Sequence, residues 1–286
     1  MREIRVYAPA KLNLYLNVLN KRPDGFHDIE TIFEKISLRD EIIIREKGKG
    51  LKVSADMPDC GQGNKNIVYK AARALFKEIG IGLNLDIKIR KNIPVSAGLG
   101  GGSSDAASAL KAINEIFNLN LPRERLFSIA CGIGKDVPFF MLDTPFAAAK
   151  GAGEVIKAIS LDKSFFHILV KPMIPLSTKL MYQRIDRLGP FNKSHSFKDA
   201  LNALKSGAKE LEKKYYNIFE NALGEEGIYI DEIKTLLAES GAKKSLLSGS
   251  GPTVFCVFEN EADAVAVFQK IPQNKRLSVF LAETYK

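Results

Sequence analysis

Within the segment Pro94–Leu110, which reads PVSAGLGGGSSDAASAL, four glycines at 98, 100, 101 and 102 run directly into the serines at 103 and 104. Glycine adopts positive φ and has no Cβ, so such a loop brings backbone N–H groups against a polyanion without a clash. A glycine-rich turn that binds nothing is the alternative, but four glycines in five positions lose much conformational entropy on folding. The segment therefore predicts a phosphate-binding loop.

The residues after the glycines predict the helix that positions this loop. Apolar residues recur at helical spacing over Leu110–Phe117. Ser103 or Ser104 stands at the expected N-cap, with Asp105 in the first turn. The unsatisfied amides and the positive end of the helix would then point at the ligand of the loop.

Spacing excludes the commonest nucleotide-binding motifs. The chain contains no G-x-x-x-x-G-K-[ST], and its glycines do not satisfy G-x-G-x-x-G, so P-loop and dinucleotide-binding proteins are excluded. No histidine begins His-Arg-Asp and no Asp-Phe-Gly occurs, which excludes the protein kinases. A different class of phosphate-binding loop remains.

Composition indicates a globular protein with an acidic partner. The 286 residues are 45% hydrophobic, and 42 basic against 33 acidic residues give a formal charge of +9. Three separated cysteines support neither a disulfide framework nor a zinc site. The charged amino terminus does not resemble a signal peptide and no apolar run reaches a membrane span, so we expect a cytoplasmic protein.

Strand-like and helical segments alternate in the first half, which predicts one α+β unit. The expected strands are Glu3–Leu19, Thr31–Arg45 and Leu83–Arg90, and the expected helices are Asn66–Ile79 and Pro122–Cys131. Residues 150–163 are expected to connect the halves, so we expect domains at residues 1–158 and 159–286.

The order of elements in the second half predicts a ferredoxin-like sandwich. A strand at Phe165–Val170 is followed by helical segments to about Gly241, a strand candidate and a glycine turn at Ser248–Gly251. The half closes with a strand at Thr253–Phe258, a helix at Glu261–Lys270 and a strand at Leu277–Leu281.

Five motifs in register resemble those of the GHMP kinases, the superfamily of galactokinase, homoserine kinase and mevalonate kinase. They are APAKLNLYLNV (8–18), PDGFHDIETIF (23–33), PVSAGLGGGSSDAA (94–107), GKDVPFF and SGSGPTVF (248–255). The resemblance implies a two-domain α+β architecture with an active site in the cleft between the domains. The N-terminal half would resemble a ribosomal-protein domain, and the C-terminal half would be ferredoxin-like.

The resemblance also implies a reaction, the transfer of the ATP γ-phosphate to an alcohol with Mg²⁺ present. The triple glycine, together with the other four motifs, narrows the resemblance to members whose acceptor is cytidine diphosphate methylerythritol, phosphorylated on its 2-hydroxyl for isoprenoid biosynthesis. Asp136 matches the catalytic aspartate, which would act as general base, and Lys11 matches its partner lysine. A surface charge or ion pair is the alternative for each.

Substrate residues follow from the same resemblance. Phe26, His27 and Phe33 match an aromatic cluster that embraces cytosine, Tyr182 a further aromatic, and Asn13 a residue near the acceptor's polar group. A structural histidine, a helix-core Tyr182 and a turn-forming Asn13 are the alternatives.

Contacts with ATP are expected from the loop, from Asn66 at the adenine pocket and from Lys91, although Asn66 could be only a helix cap. Ser104 would donate to a phosphate or face Mg²⁺, and the Ser248–Gly251 turn would close on the site or only join two strands. The full set expected at ATP is Asn66, Lys91, Pro94, Ala97, Gly98, Leu99, Gly100, Gly101, Gly102, Ser103 and Ser104.

Two other functions remain open. One is a GHMP kinase for another alcohol, such as mevalonate or homoserine, whose substrate has no base to stack on Phe26. A basic RNA-binding module would make no use of Asp136 or Lys11 and would bind RNA with a steep salt dependence. The chain has no RNA-recognition signature, so we expect a small-molecule partner and neither nucleic acid nor membrane; no oligomeric state is specified.

Overall fold

A computed structural model describes residues 2–82, 84–189 and 195–286. The chain divides into two compact units. Unit 1 contains residues 1–10, 39–95 and 100–143, and unit 2 contains residues 11–38, 96–99 and 144–286. Each unit is therefore assembled from segments that are distant in the sequence.

The bounds of the elements are as follows. The strands are β1 Glu3–Lys21, β2 His27–Glu46, β3 Leu51–Ala55, β4 Leu85–Arg90, β5 Phe146–Gly151, β6 Val155–Ile159, β7 Phe166–Pro172, β8 Tyr216–Asn217, β9 Leu246–Leu247, β10 Val254–Phe258 and β11 Leu277–Glu283. The helices are α1 Ile67–Ile79, α2 Gly101–Ile116, α3 Arg123–Ile133, α4 Val137–Met141, α5 Thr178–Leu188, α6 Phe197–Ser206, α7 Ala208–Lys214, α8 Gly227–Ser240 and α9 Glu261–Phe268.

Unit 1 packs helices on a sheet formed by β3, β4 and the second half of β2. Strand β4 pairs antiparallel with β2, from Glu41 opposite Arg90 to Glu46 opposite Leu85, and β3 pairs parallel with β4. Helix α1 buries an apolar face and packs against α2 and α3, and it ends at Gly80 in the left-handed region. This packing fixes the start of α2, where the glycine loop enters.

Unit 2 contains the predicted ferredoxin-like sandwich. Its four-stranded sheet has the order β11-β7-β10-β9 with antiparallel neighbours, and α8 and α9 pack on it. Elsewhere in the unit, the first half of β2 pairs antiparallel with β5, β5 pairs with β6, and β8 lies parallel to β1 through Tyr15 and Leu16. The ferredoxin-like prediction is confirmed.

Most predicted elements are present, and the differences have physical causes. Leu83, the predicted start of a strand, lies outside the described residues. Residues 150–163, expected to connect the halves, contain the end of β5 and all of β6, which form an antiparallel hairpin. Strand β5 was not predicted because Ala147, Ala148 and Ala149 have little intrinsic preference for strands. The boundary after residue 158 stays a prediction.

None of the helices in the described part of the chain is long and apolar enough to cross a membrane.

Candidate active site

Helix α2 starts earlier than the sequence predicted. Its N-cap is Gly100, in the left-handed region at φ 69°, and the first intrahelical bond runs from Ser104 N to Gly100 O. The N-cap prediction for Ser103 or Ser104 was wrong, because glycine reaches this conformation without strain and ends the loop before the serines. The amides of residues 101–103 therefore have no acceptor within the helix.

Two of the four loop glycines, Gly98 and Gly100, are required by the protein itself, and a third, Gly101, is closely packed. A Cβ on Gly98, which has φ 75°, would lie 2.1 Å from Ser248 O, and Gly100 has positive φ. A Cβ on Gly101 would lie 3.0 Å from Ile93 Cγ2. At Gly102 the nearest atom would be 3.4 Å away, an ordinary contact. Gly102 is thus the position at which close approach of a ligand remains the best reason for glycine.

Lys11 lies in a buried chain of hydrogen bonds in unit 2. Its Nζ donates to Asn13 Oδ1, Asn13 Nδ2 donates to Thr31 Oγ1 at 2.8 Å, and Thr31 Oγ1 donates to Tyr15 O at 2.7 Å. These hydrogen bonds fix the orientation of the Asn13 amide, which presents its oxygen to the Lys11 ammonium. The Lys11 Nζ also lies 5.6 Å from the centroid of the buried Phe33 ring.

The Ser248–Gly251 turn contacts the hydrogen-bonded side chains of Lys11 and Asn13. A Cβ on Gly249 would lie 3.2 Å from Lys11 Nζ and 3.3 Å from Asn13 Oδ1. Ser248 Oγ donates to Gly98 O at 3.1 Å, and Lys11 N donates to Leu99 O at 2.9 Å. Residues from the first motif, the glycine loop and the last motif thus meet within unit 2.

Asn217 is a buried residue that the sequence analysis missed. Its Nδ2 donates to Leu247 O and to Gly249 O, each at 2.7 Å, and its Oδ1 accepts from Phe219 N. It therefore holds the turn that contacts Lys11. An asparagine within the apolar run Tyr215–Phe219 was the available signal, since a buried amide needs several partners.

Lys91 is buried between two carboxylates in unit 1. Its Nζ pairs with Asp40 and lies 2.8 Å from Asp105 Oδ2, while Asp40 Oδ1 accepts from the amides of Asn92 and Ile93. Burial acts to lower the pKa of Lys91, but the two carboxylates outweigh it and the pKa is raised. Burial raises the pKa of Asp105 to about 7. This cluster anchors α2 beside Gly101, and contact of Lys91 with the nucleotide stays a prediction.

Asn66 is the N-cap of α1, in agreement with the interpretation of this residue as a helix cap. Its Oδ1 accepts from Val68 N at 2.8 Å, and its Nδ2 donates to Cys60 O and Gly61 O. The side chain thus joins the preceding loop to the helix. Its contribution to an adenine pocket stays a prediction.

A compact group surrounds His27 in unit 2, and we name His27, Tyr182, Asp186 and Phe219 the His27 cluster. The Tyr182 ring stacks on His27 with centroids 4.6 Å apart and meets Phe219 edge-on at 4.9 Å. Asp186 Oδ1 lies 2.6 Å from His27 Nε2. Phe26, the preceding residue in the sequence, is 50% exposed, so part of an aromatic side chain faces solvent next to a positioned histidine.

Asp136 precedes α4 and is anchored by it. Val137, Pro138, Phe139 and Phe140 are all buried, which fixes the backbone of the aspartate. The Asp136 carboxylate is half-buried and makes no hydrogen bond that caps α4. Lys135 beside it is exposed.

Ser104 is the candidate Mg²⁺ ligand that the sequence predicted. No group of three or more histidine, cysteine or acidic side chains that could hold a metal occurs among the described residues. Ser104 Oγ is buried and has no hydrogen-bond partner within the described chain. An orphaned hydroxyl at the start of α2 fits one ligand of an ion that commonly takes its other ligands from phosphates and water.

Two family profiles match the chain on either side of its middle. The GHMP kinases N terminal domain matches residues 66–144, and the GHMP kinases C terminal domain matches residues 197–276. The chain belongs to the GHMP kinases. The predicted family is confirmed.

Relatives of this GHMP kinase match it over nearly its whole length. A protein named 4-diphosphocytidyl-2-C-methyl-D-erythritol kinase from Geobacter metallireducens is 40% identical and covers 95% of each chain. A protein of the same name from Acetivibrio thermocellus is 36% identical over 99% of this chain and 100% of its own. A crystal structure of 4-(cytidine 5'-diphospho)-2C-methyl-D-erythritol kinase is 29% identical, with a TM-score of 0.82 over 99% of this chain and 100% of that one.

The Asp105 carboxyl predicts a pH-dependent stability. The pKa of Asp105 in the folded GHMP kinase is about 7, above the ordinary value of 3.8, so folding takes up a proton between these two pH values. The contribution of Asp105 to the free energy of unfolding is therefore lost as the pH rises from 3.8 to about 7. Between about pH 5 and pH 8.5, the melting temperature of Asp105→Asn should therefore rise relative to wild type by about 2 °C or more, measured calorimetrically.

Asp143→Asn is the matched control for that measurement. Asp143 is an exposed carboxylate of the same unit, paired with Lys111 and Arg123. The variant controls for the loss of one carboxylate from this unit. A difference between Asp105→Asn and wild type that does not change with pH would contradict the raised pKa of Asp105.

Proposed function

We propose that this chain transfers the γ-phosphate of ATP to the 2-hydroxyl of 4-diphosphocytidyl-2-C-methyl-D-erythritol, giving the 2-phosphate and ADP in the non-mevalonate route to isoprenoid precursors. Relatives with that name match it over nearly its full length. The observation that carries the acceptor assignment is the His27 cluster beside exposed Phe26. Stacking rings and a histidine suit a pyrimidine base, whereas mevalonate and homoserine have none.

The start of α2 binds the ATP phosphates in this proposal. The amides of residues 101–103 have no acceptor within the helix, and the helix dipole adds positive potential at the same end. Gly102 has space where a side chain would meet a phosphate. Mg²⁺, when bound with ATP, neutralises phosphate charge, and Ser104 Oγ is the side-chain oxygen that would hold it.

Asp136 and Lys11 carry the chemistry at the acceptor. Phosphoryl transfer needs positioning, charge neutralisation and a group that takes or orients the alcohol proton. Asp136, on a backbone anchored by four buried residues, accepts the proton of the 2-hydroxyl. Lys11 is held by Asn13, so its ammonium meets developing charge without reorganisation. In the same proposal, Asn13 and Phe33 contribute to binding of the acceptor and Lys91 to binding of ATP.

The acceptor is tested by turnover of the purified chain with Mg-ATP. ADP release should be saturable with the cytidyl compound and at background with mevalonate or homoserine. Turnover of mevalonate or homoserine alone would replace the substrate within the same family. No turnover with any alcohol, together with salt-dependent RNA binding, would favour the RNA-binding alternative.

Asp136→Asn should lower kcat by about 10²–10⁴-fold, because the amide cannot accept the proton of the hydroxyl. The KM for the cytidyl compound should change by less than about threefold, since binding is proposed to rest on other residues. Steady-state kinetics measure both, with Asp143→Asn as the control for loss of a carboxylate in unit 1. Full turnover by Asp136→Asn would remove Asp136 from the mechanism.

Two glycine variants separate packing from phosphate binding. Gly98→Ala should lower the melting temperature, because its methyl would lie 2.1 Å from Ser248 O. Gly102→Ala should keep or slightly raise it, since alanine favours helix, yet raise the KM for ATP about tenfold. Wild-type ATP affinity in Gly102→Ala would contradict the phosphate-binding role of this position.

A further inference from the structure

Helix α5 presents two side chains, one turn apart, to the same histidine. Tyr182 stacks on the His27 ring, and Asp186, four residues later, reaches His27 Nε2 at 2.6 Å. Residues at i and i+4 lie on one helical face, so a single element fixes both the plane and the edge of the ring. Tyr182 is among the residues predicted from the sequence, whereas Asp186 is not.

Asp186 is itself held by a second partner. Its Oδ2 lies 2.5 Å from Lys21 Nζ at the end of β1, which leaves Oδ1 for His27. The hydrogen bonds from His27 and Lys21 lower the pKa of Asp186, so the group is a carboxylate at neutral pH. An ionised carboxylate only accepts hydrogen bonds, and the proton of this contact therefore resides on Nε2.

The proton on His27 Nε2 determines how the imidazole ring can recognise a base. A proton fixed on Nε2 defines the tautomer of a neutral imidazole and assigns any contact of the ring with a base to Nδ1. Cytosine carries an amino donor where uracil carries a carbonyl acceptor, so a fixed tautomer distinguishes the two. An imidazole with mobile protons would accept either base.

We propose that Asp186, held by Lys21, is a positioning residue that fixes the His27 ring for recognition of the cytosine of the acceptor. The proposal rests on the proposed function, because it concerns the base-binding part of that site. Asp186 itself contacts neither the base nor the reacting hydroxyl.

A second ion pair on α5 supplies the matched control. Arg184 NH1 lies 2.9 Å from Glu226 Oε2, and both side chains are partly exposed. Glu226→Gln removes the carboxylate partner of Arg184, and this carboxylate lies at the start of α8 and outside the His27 cluster. A loss of function caused only by loosening the helix would appear in both variants.

The experiment compares wild type with Asp186→Asn, Asp186→Glu and Glu226→Gln. Asp186→Asn should raise the KM for the cytidyl compound about tenfold, with kcat and the KM for ATP within about twofold of wild type. The preference for CMP over UMP, measured by calorimetric titration, should fall by a similar factor. Asp186→Glu should restore part of both, and Glu226→Gln should match wild type.

Nuclear magnetic resonance provides a readout that a structural role would not move. The ¹⁵N shifts of the His27 ring, assigned with His27→Gln, should report a proton on Nε2 in wild type and a mixture of tautomers in Asp186→Asn. Unchanged ring shifts, or an unchanged CMP-to-UMP ratio, would overturn the proposal. So would equal losses in Asp186→Asn and Glu226→Gln.

Failure of the proposal and failure of the proposed function give different results. Without turnover of the cytidyl compound by wild type, the proposed function fails, but CMP binding and the ring shifts still decide whether Asp186 fixes His27 for a cytosine. With normal turnover and unchanged nucleotide preference in Asp186→Asn, only the role of Asp186 fails.

Discussion

The approach of one backbone to another, at Gly98 and Ser248, is the constraint on which the candidate site depends. No side chain fits between the two segments, because even a methyl group would lie 2.1 Å from a carbonyl oxygen. The contact places the last motif beside the glycine loop, and Gly249 then reaches Lys11 and Asn13. Close backbone packing thus joins three sequence motifs before any ligand is bound.

Buried polar groups hold the elements within each unit. Asn217 ties the turn to β9, and the Lys91 cluster ties α2 to β2. Both use side chains that would destabilise the core if left unpaired, so each arrangement tolerates few alternatives. The amides at the start of α2 and the Lys11 ammonium therefore belong to rigid elements, as electrostatic stabilisation of a transferring phosphoryl group requires.

Local patterns in the sequence predicted the local structure well. Helical spacing after the glycines located α2, and the order of segments predicted the ferredoxin-like sheet. The start of α2 was wrong because cap preferences favour serine, whereas the left-handed conformation of Gly100 decided the outcome. Asp40, Asn217 and Asp186 were missed because their partners lie far away in the chain, and one sequence does not show which distant side chains meet.

The loop glycines are needed for different physical reasons, and this difference affects how the sequences of related chains are interpreted. A protein that kept this fold and lost nucleotide binding would still need glycine at 98 and 100, because its own packing and backbone conformation demand it. A preserved glycine-rich signature would then survive in a chain without kinase activity. Replacement of Gly102 by a larger residue would distinguish such a pseudoenzyme from an active kinase.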